Sequence, residues 1–235
     1  MHDVKAILFD TFGTVTDWRT SVAAEMTVWA DARGISGDWL AFADDWRSRY
    51  HPSMDRVRRG ELPWTILDVL HRASLEAMLP EYGISGLNDA ELDHLTKIWH
   101  RLHPWPDSVA GLTRLKRHYI IGPMSNGNVA LLVNMAKHSG LPWDMVFGSE
   151  ISRHFKPDPE VYLGACTMLG LKPGQVMMAA AHNYDLKAAQ ALGLKTAFFA
   201  RPSEYGPKQT KDIAPTGDWT VVARDIEDLA TQMGA

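Results

Sequence analysis

Reactive side chains in this sequence stand where short apolar runs typical of strands come to an end. Asp10 closes "AILFD", Ser125 and Asn126 close "IIGPMSN", and Asp185 follows "MMAAAHNY". Lys156 lies in "RHFKPDPEVY", directly before the proline-rich start of a helix. Each alone has an ordinary role as a turn residue, a helix cap or a solvated lysine. Because parallel strands bring their carboxyl ends to one edge of a sheet, the four places together predict one shared site.

The residue types at this predicted site define a chemistry. A carboxylate such as Asp10 can act as a nucleophile and form an ester that water then opens. A nearby Lys156 would keep that carboxylate ionised and could bind a substrate anion. Ser125, Asn126 and the free N–H groups of the helix that follows them would bind a carboxylate or phosphate.

The elements that must position these groups show two kinds of secondary-structure pattern. Residues 4–9 predict a buried first strand, and from about residue 105 strand-like runs alternate with amphipathic helices. This pattern predicts an α/β fold with a doubly wound, Rossmann-like parallel sheet. The stretch between them reads as helices alone, so we expect an all-helical cap inserted after the first strand. The predicted core is residues 1–15 and 100–235, and the predicted cap is residues 16–99.

The cap sequence supports specific helix predictions. One helix is expected over residues 38–50, and another has Pro63 in its first turn. The apolar face expected for this second helix consists of Ile66, Val69, Leu70, Ala73 and Ala77.

Composition limits the classes of partner and compartment. The 235 residues are 46% apolar and 22% charged, with a net charge of −4 and a pI of about 6.2. We therefore expect a soluble globular protein with no nucleic-acid and no membrane partner. The single cysteine, Cys166, excludes an internal disulfide, makes a cytoplasmic location the default, and suits a buried helix face.

Four motifs of this chain together resemble a known superfamily. The segments "DTFGT", "SNGN", "KPDPEVY" and "NYD" stand in the order and approximate spacing of the four motifs of the haloacid dehalogenase superfamily. The helical insert after the first motif resembles that superfamily's cap, so the resemblance spans nearly the whole chain. It implies that Asp10 is the nucleophile.

Two departures from the superfamily's phosphatases narrow the subgroup. Those enzymes carry a second aspartate two residues after the nucleophile, where this chain has Phe12, and a further acid where it has Ala181. The remaining acids make a poor site for Mg²⁺, which requires several oxygen ligands. We therefore expect no metal and no cofactor. Phe12 also makes the pocket entrance apolar, which fits a carbon-centred electrophile.

The pattern resembles the L-2-haloacid, or (S)-2-haloacid, dehalogenases. The resemblance implies that Asp10 attacks C2 of a short 2-haloacid, displaces halide with inversion, and is released by water as the 2-hydroxy acid forms. Thr14, Ser125 and Lys156 would place Asp10 and the substrate carboxylate. Asn126 and a cap arginine, Arg47, would receive the halide. Arg47 also has the alternative role of a solvated helix residue.

Three aromatic residues match positions of the same family's site. Tyr162 lies one turn into the helix after Lys156, with a partly buried helix aromatic as the alternative. Trp64 and Tyr184 match residues that line the halide and substrate pocket. For Trp64, a place in the cap core is slightly favoured.

The fourth motif departs from the best-known dehalogenases, which have a serine and an asparagine where this chain has Ala180 and His182. We hypothesise that His182 activates or orients the hydrolytic water, because histidine titrates in the range that suits a general base. The alternative is a hydrogen bond within the loop. These two replacements change the wall of the expected pocket. The change could favour fluoride as the leaving halide and a small acid such as haloacetate as the substrate.

The expected partners are a haloacid, halide and water, and a homodimer is compatible with the surface. Three other functions stay open at this point. They are hydrolysis of another activated carbon centre, such as a strained small-ring amino acid, non-catalytic binding of a small carboxylate, and residual phosphatase activity.

Overall fold

The core of the computed structural model, which describes residues 3–235, is a six-stranded parallel sheet in the order β5-β4-β1-β6-β7-β8. Two further short strands lie outside this sheet. In chain order the strands are β1 Ala6–Phe9, β2 Thr16–Asp17, β3 His103–Pro104, β4 Ile120–Ser125, β5 Phe147–Gly148, β6 Val176–Ala180, β7 Lys195–Phe198 and β8 Val221–Val222. The α/β fold with a parallel sheet is confirmed.

Both faces of the sheet are buried, as the uninterrupted apolar run of β1 requires. Ile7 and Phe9 point into one apolar cluster, and Ala6 and Leu8 point into the other. The helices of this part of the chain are α6 Ser108–Leu115, α7 Val129–Ser139, α8 Ser149–Ser152, α9 Pro159–Leu169, α10 Asn183–Ala191 and α11 Ile226–Gln232. Cys166 is buried on α9, as expected.

Five α-helices lie between β2 and β3. They are α1 Trp18–Asp31, α2 Trp39–Ser48, α3 Tyr50–Arg58, α4 Leu67–Met78 and α5 Asp89–Thr96. Side-chain caps define three of their starts: the carboxylates of Asp17 and Asp38 accept from Thr20 N and Ala41 N, and Asn88 forms a capping box with Glu91. Such caps satisfy backbone N–H groups that have no partner within the helix.

A short ribbon marks where the chain leaves the core and returns. β2 pairs with β3 in antiparallel register, with Thr16 opposite Pro104. The backbone N–H of Trp105 donates to Val15 O at 3.0 Å, and Ser108 Oγ donates to the same oxygen at 2.7 Å. The domain boundaries at residues 15/16 and 99/100 stay a prediction beside this ribbon.

Two local helix predictions were wrong. The segment 38–50 does not form one helix, because α2 ends at Ser48 and α3 begins at Tyr50. α4 begins at Leu67, so Pro63 lies outside it.

The buried face of α4 also differs from the predicted one. It consists of Leu67, Leu70, His71, Leu75 and Met78, whereas Val69 is 54% exposed. This segment contains two sets of apolar residues at helical spacing. Packing buries the set with the bulkier side chains, because that burial removes more apolar area from water.

Candidate active site

Asp10 lies directly after β1, and its carboxylate is almost fully buried. Its Oδ1 accepts a hydrogen bond from Lys156 Nζ at 2.9 Å. Its Oδ2 accepts from Thr14 Oγ1 at 2.8 Å and lies 2.9 Å from Nδ1 of His182. Both oxygens are therefore held by groups from three separate parts of the chain.

The charge on Asp10 is stabilised by these neighbours. Burial alone would raise the pKa of its carboxyl group, but the positive charges of Lys156 and His182, together with their hydrogen bonds, hold that pKa well below its usual range. The carboxylate is thus ionised at neutral pH, which is the form that can attack an electrophile.

Lys156 stands between two carboxylates, Asp10 and Asp185, and its Nζ donates to both. Burial would lower the pKa of Lys156, but the two negative charges raise it overall. The backbone N–H of Lys156 donates to Asn126 Oδ1 at 2.7 Å, and Tyr162 OH donates to Asp185 Oδ1 at 2.6 Å. The lysine is therefore fixed at its backbone and at its charged end.

The imidazole of His182 is held between two carboxylates. Nδ1 faces Asp10, and Nε2 lies 2.9 Å from Oε2 and 3.1 Å from Oε1 of Glu204. Although burial would lower the pKa of His182, Glu204 and Asp10 raise it to about 10. His182 is therefore an imidazolium in the resting site, which differs from the sequence-based expectation of a base that titrates near neutral pH.

Glu204 is a site residue that the sequence analysis missed. It is 1% exposed, and Trp18 Nε1 donates to its Oε1 at 3.1 Å. Burial would raise the pKa of its carboxyl group, but His182, Arg47 and Trp18 lower it. One signal was available: Glu204 lies in the segment that follows β7, at the same edge of the sheet as the other reactive groups.

Gly13 makes room for this carboxylate. Its φ of +84° lies in the left-handed region, and a Cβ built on it would stand 1.9 Å from Oε1 of Glu204. The glycine of the "DTFGT" motif is thus required both by the turn and by the approach of Glu204.

Arg47 reaches from α2 toward the sheet and is 8% exposed. Its guanidinium carbon lies 4.1 Å from the ring centroid of Tyr50, 5.4 Å from that of Trp18 and 5.9 Å from that of Phe12. Within residues 3–235 its Nη1 is buried and has no hydrogen-bond partner. The structure thus places a buried, unsatisfied donor of fixed positive charge beside Phe12, rather than a solvated helix arginine.

Three further residues that the sequence predicted for the site, Ser125, Tyr184 and Trp64, lie in three different environments. Ser125 is fully buried, and its Oγ accepts from Gly127 N at 3.2 Å within the turn after β4. Tyr184 is 36% exposed and stacks on His182 with ring centroids 5.8 Å apart. Trp64 packs on Phe155 with ring centroids 4.9 Å apart, and the two rings line a separate cleft.

Two cavities lie at the mouth of this cluster. One, of about 330 Å³, is lined by seven residues: Trp18, Asp44, Arg47, Ser48, His51, Tyr205 and Lys211. The second, of about 240 Å³, includes Lys156, Tyr184, His51 and Lys211 in its wall. A small organic acid fits either volume. The first cavity has Arg47 in its wall, and the second has Lys156, whose Nζ donates to the Asp10 carboxylate.

The donor set does not fit Mg²⁺, the ion used by much of this fold family. Lys156, Thr14 and His182 already occupy the oxygens of Asp10, and Lys156 Nζ also takes one of the oxygens of Asp185. Phe12 fills the position of the second acid. An ammonium and an imidazolium beside the carboxylate oppose a divalent cation, so we derive no step through a metal.

Comparison with known proteins agrees with this fold. Residues 4–193 match the model of a hydrolase family described as haloacid dehalogenase-like hydrolase. The chain therefore belongs to the haloacid dehalogenase-like hydrolases, and the family expected from its motifs is confirmed.

Individual relatives within the family carry more specific names. The chain is 28% identical to (S)-2-haloacid dehalogenase 4A of Burkholderia cepacia, over 98% of this chain and 100% of that protein. It is 55% identical to the defluorinating L-2-haloacid dehalogenase Rha0230, whose crystal structure matches with a TM-score of 0.96 over 99% of this chain and 96% of that one. The L-2-haloacid dehalogenase PA0810 is 52% identical, with a TM-score of 0.95 over 98% and 99% of the two chains.

No helix within residues 3–235 combines the length and the apolar character that crossing a bilayer would need.

Proposed function

We propose that this protein hydrolyses short 2-haloalkanoic acids, such as haloacetate and L-2-haloacids, to 2-hydroxy acids through an aspartyl ester on Asp10. The observation that carries the proposal is the ionised, buried Asp10 carboxylate held by Lys156, Thr14 and His182. A carboxylate so placed is a nucleophile without a metal. The names of the similar proteins support the same reaction class.

In the first step, an oxygen of Asp10 attacks C2 of the substrate in line with the carbon–halogen bond. The C2–O bond forms as the C2–halogen bond breaks, the halide leaves with the bonding electrons, and C2 inverts. We assign placement of the substrate carboxylate to Ser125, Lys156 and the N–H groups at the start of α7. Arg47, with its unsatisfied Nη1, receives the halide together with Asn126.

In the second step, water attacks Cγ of the Asp10 ester. Esterification removes the negative charge of Asp10, which is one of the two carboxylates that raise the pKa of His182. The imidazolium can then release its Nδ1 proton to solvent, which accounts for the proton that leaves with the halide, and Nδ1 accepts a proton from the attacking water as the hydroxyl adds to Cγ. Glu204 keeps the Nε2 proton in place. The bond from Cγ to the C2-bound oxygen then breaks, that oxygen takes the proton of the added hydroxyl, and the 2-hydroxy acid leaves, so that Asp10 is again a carboxylate and His182 an imidazolium.

We extend the proposal to fluoride. Arg47 lies among the rings of Tyr50, Trp18 and Phe12, and within residues 3–235 its buried Nη1 has no hydrogen-bond partner. Fluoride is the smallest halide and the strongest hydrogen-bond acceptor, so it gains most from such a desolvated donor. The similarity to the defluorinating L-2-haloacid dehalogenase Rha0230 supports fluoride release.

The test is halide release from chloroacetate, fluoroacetate and both enantiomers of 2-chloropropionate in the presence of EDTA, with Asp10→Asn as the control. We expect the wild type to release halide and Asp10→Asn to release none. Of the two enantiomers of 2-chloropropionate, we expect only S to be a substrate. No halide from any substrate would move the assignment to another activated carbon substrate or to a binding role. Activity on a phosphate ester after Mg²⁺ addition would favour the residual phosphatase.

Assembly and location complete the proposal. We propose a homodimer, supported by the exposed apolar side chains of Ile151 and Met168, which line a cleft of about 310 Å³ on α8 and α9. Sedimentation of the wild type and of Met168→Glu tests it, and a monomeric wild type would contradict it.

A cytoplasmic location is proposed on the single, buried cysteine.

A further inference from the structure

Lys211 lies on the segment between β7 and β8, at the boundary between the two cavities. The first cavity contains Arg47, and the second contains Lys156. Among residues 3–235, Lys211 and His51 are the two that line both of them. Lys211 therefore lies beside both cavities through which a small molecule could approach the Asp10 cluster.

The backbone at Lys211 is tied to the catalytic loop. The next residue, Asp212, has a φ of +55°, and its Oδ1 accepts from the backbone N and the Nδ2 of Asn183 at 3.0 and 2.9 Å. Asn183 directly follows His182 at the start of α10. Lys211 is thus held at a fixed place although its side chain is exposed.

Two aromatic rings set the direction of the ammonium group. Lys211 Nζ lies 5.8 Å from the ring centroid of Tyr184 and 5.7 Å from that of Tyr205. At these distances each ring face attracts the cation, and the attraction is modest at an exposed position. The ammonium is directed over the mouth yet remains free to exchange this contact for an anion.

The charge of Lys211 is not compensated locally. Asp44 pairs with Arg19 at 2.7 Å and Asp55 pairs with Arg58 at 3.0 Å, so the acids in the cavity walls are engaged elsewhere. Throughout residues 3–235, no carboxylate lies within ion-pair distance of Lys211 Nζ. His51, which shares both walls, is neutral at pH 7, because burial and the charges of Arg47 and Lys211 lower its pKa to about 4.

We propose that Lys211 is a recruiting residue that captures the carboxylate of the incoming substrate at the mouth and directs it toward Arg47 and Lys156. This inference rests on the proposed function in its choice of substrate, an acid that is anionic at neutral pH. Lys211 does not touch the reacting atoms. It acts on the rate of productive encounter, where a placed charge raises the local concentration of an oppositely charged ligand.

The test compares Lys211→Gln and Lys211→Glu with the same two changes at Lys208. Lys208 is exposed on the same segment and lines neither cavity, so the change in net charge is matched. At low ionic strength we expect kcat/KM for chloroacetate to fall about 3- to 10-fold in Lys211→Gln and further in Lys211→Glu, with a smaller effect on kcat. Added salt should shrink the difference, because it screens exposed charges. Lys211→Arg should retain the wild-type kcat/KM.

Equal kcat/KM values for the Lys208 and Lys211 variants would overturn the proposal. A second readout separates it from the proposed reaction: the association rate of (S)-2-chloropropionate with Asp10→Asn, followed by stopped-flow tryptophan fluorescence, with and without Lys211→Gln. Slower association with Lys211→Gln supports recruitment even if the wild type releases no halide. An unchanged association rate refutes recruitment whatever the turnover. Circular dichroism of each variant confirms that it is folded.

Discussion

His182 Nδ1 lies 2.9 Å from Oδ2 of Asp10, while the opposite edge of the same imidazole is held by Glu204. This contact connects the proposed nucleophile to the proposed base. It stabilises the ionised Asp10 before attack, and it weakens once Asp10 becomes an ester. In the proposed mechanism, one side chain thus serves the two chemical steps in two protonation states.

Replacement of His182 by Ala should separate these steps. Asp10 keeps Lys156 and Thr14, so the ester still forms and the first turnover still releases halide. The ester then persists, because no base takes the proton from water, and steady-state turnover should fall about 10²- to 10⁴-fold. Rapid-quench halide measurement and intact mass spectrometry detect the burst and the covalent adduct. His118→Ala, at an exposed position, is the matched control. A wild-type steady rate in His182→Ala would refute the assignment.

Stability should depend on pH through His182. Its pKa rises from the ordinary 6.5 to about 10 in the folded protein. A group with a raised folded pKa contributes stability that is complete below its unfolded pKa and is lost as the pH rises through the folded one. We therefore expect Tm to fall between pH 7 and 10. Calorimetry of His182→Gln should show a lower Tm with a flatter slope over that range, whereas an equally steep decline would contradict the ionic role.

Gly13→Ala should destabilise the protein more than a matched glycine replacement. Gly34 also has a positive φ, +66°, but has open space around it. Gly34→Ala should therefore cost about 1 kcal/mol of unfolding free energy for backbone strain alone. Gly13→Ala carries the same strain plus a clash with Glu204, and we expect about 1–3 kcal/mol beyond the Gly34 variant. Urea unfolding of both variants gives the comparison, and Glu204→Ala should recover part of the excess. Equal losses would show that Glu204 can move aside at no cost.

Arg47→Met should impair departure of the halide. Loss of a buried, charged donor removes an interaction worth about 1.5–3 kcal/mol, so we expect kcat/KM for chloroacetate to fall about 10- to 100-fold. Arg49→Met is the control, since Arg49 lies on the same segment but forms partly exposed ion pairs with Asp45 and Glu81. If both variants lost activity equally, the effect would come from the fold of the helical segment rather than from halide binding.

Part of the site could be predicted from local sequence because its residues follow strands. Asp10, Asn126 and Asp185 stand after apolar runs whose place in a parallel sheet is readable from alternation, and the sheet then brings them to one edge. Lys156 was found by the same reasoning and lies between Asp10 and Asp185. Phe12 and Ala181 already argued against a metal, because neither side chain offers an oxygen ligand.

The rest depended on contacts between distant segments. No local pattern couples Glu204 to His182 and Gly13, and the protonation state of His182 follows from two carboxylates that arrive from opposite directions. The buried face of α4 was decided by packing, since two helical stripes were available.

For this chain, the sequence by itself determined the α/β order of elements and the family motifs, and it predicted a carboxylate nucleophile, because those depend on periodicity and residue type. Only the tertiary structure decided which charges meet, because electrostatic energy depends on distance and burial, and neither is encoded in spacing along the chain.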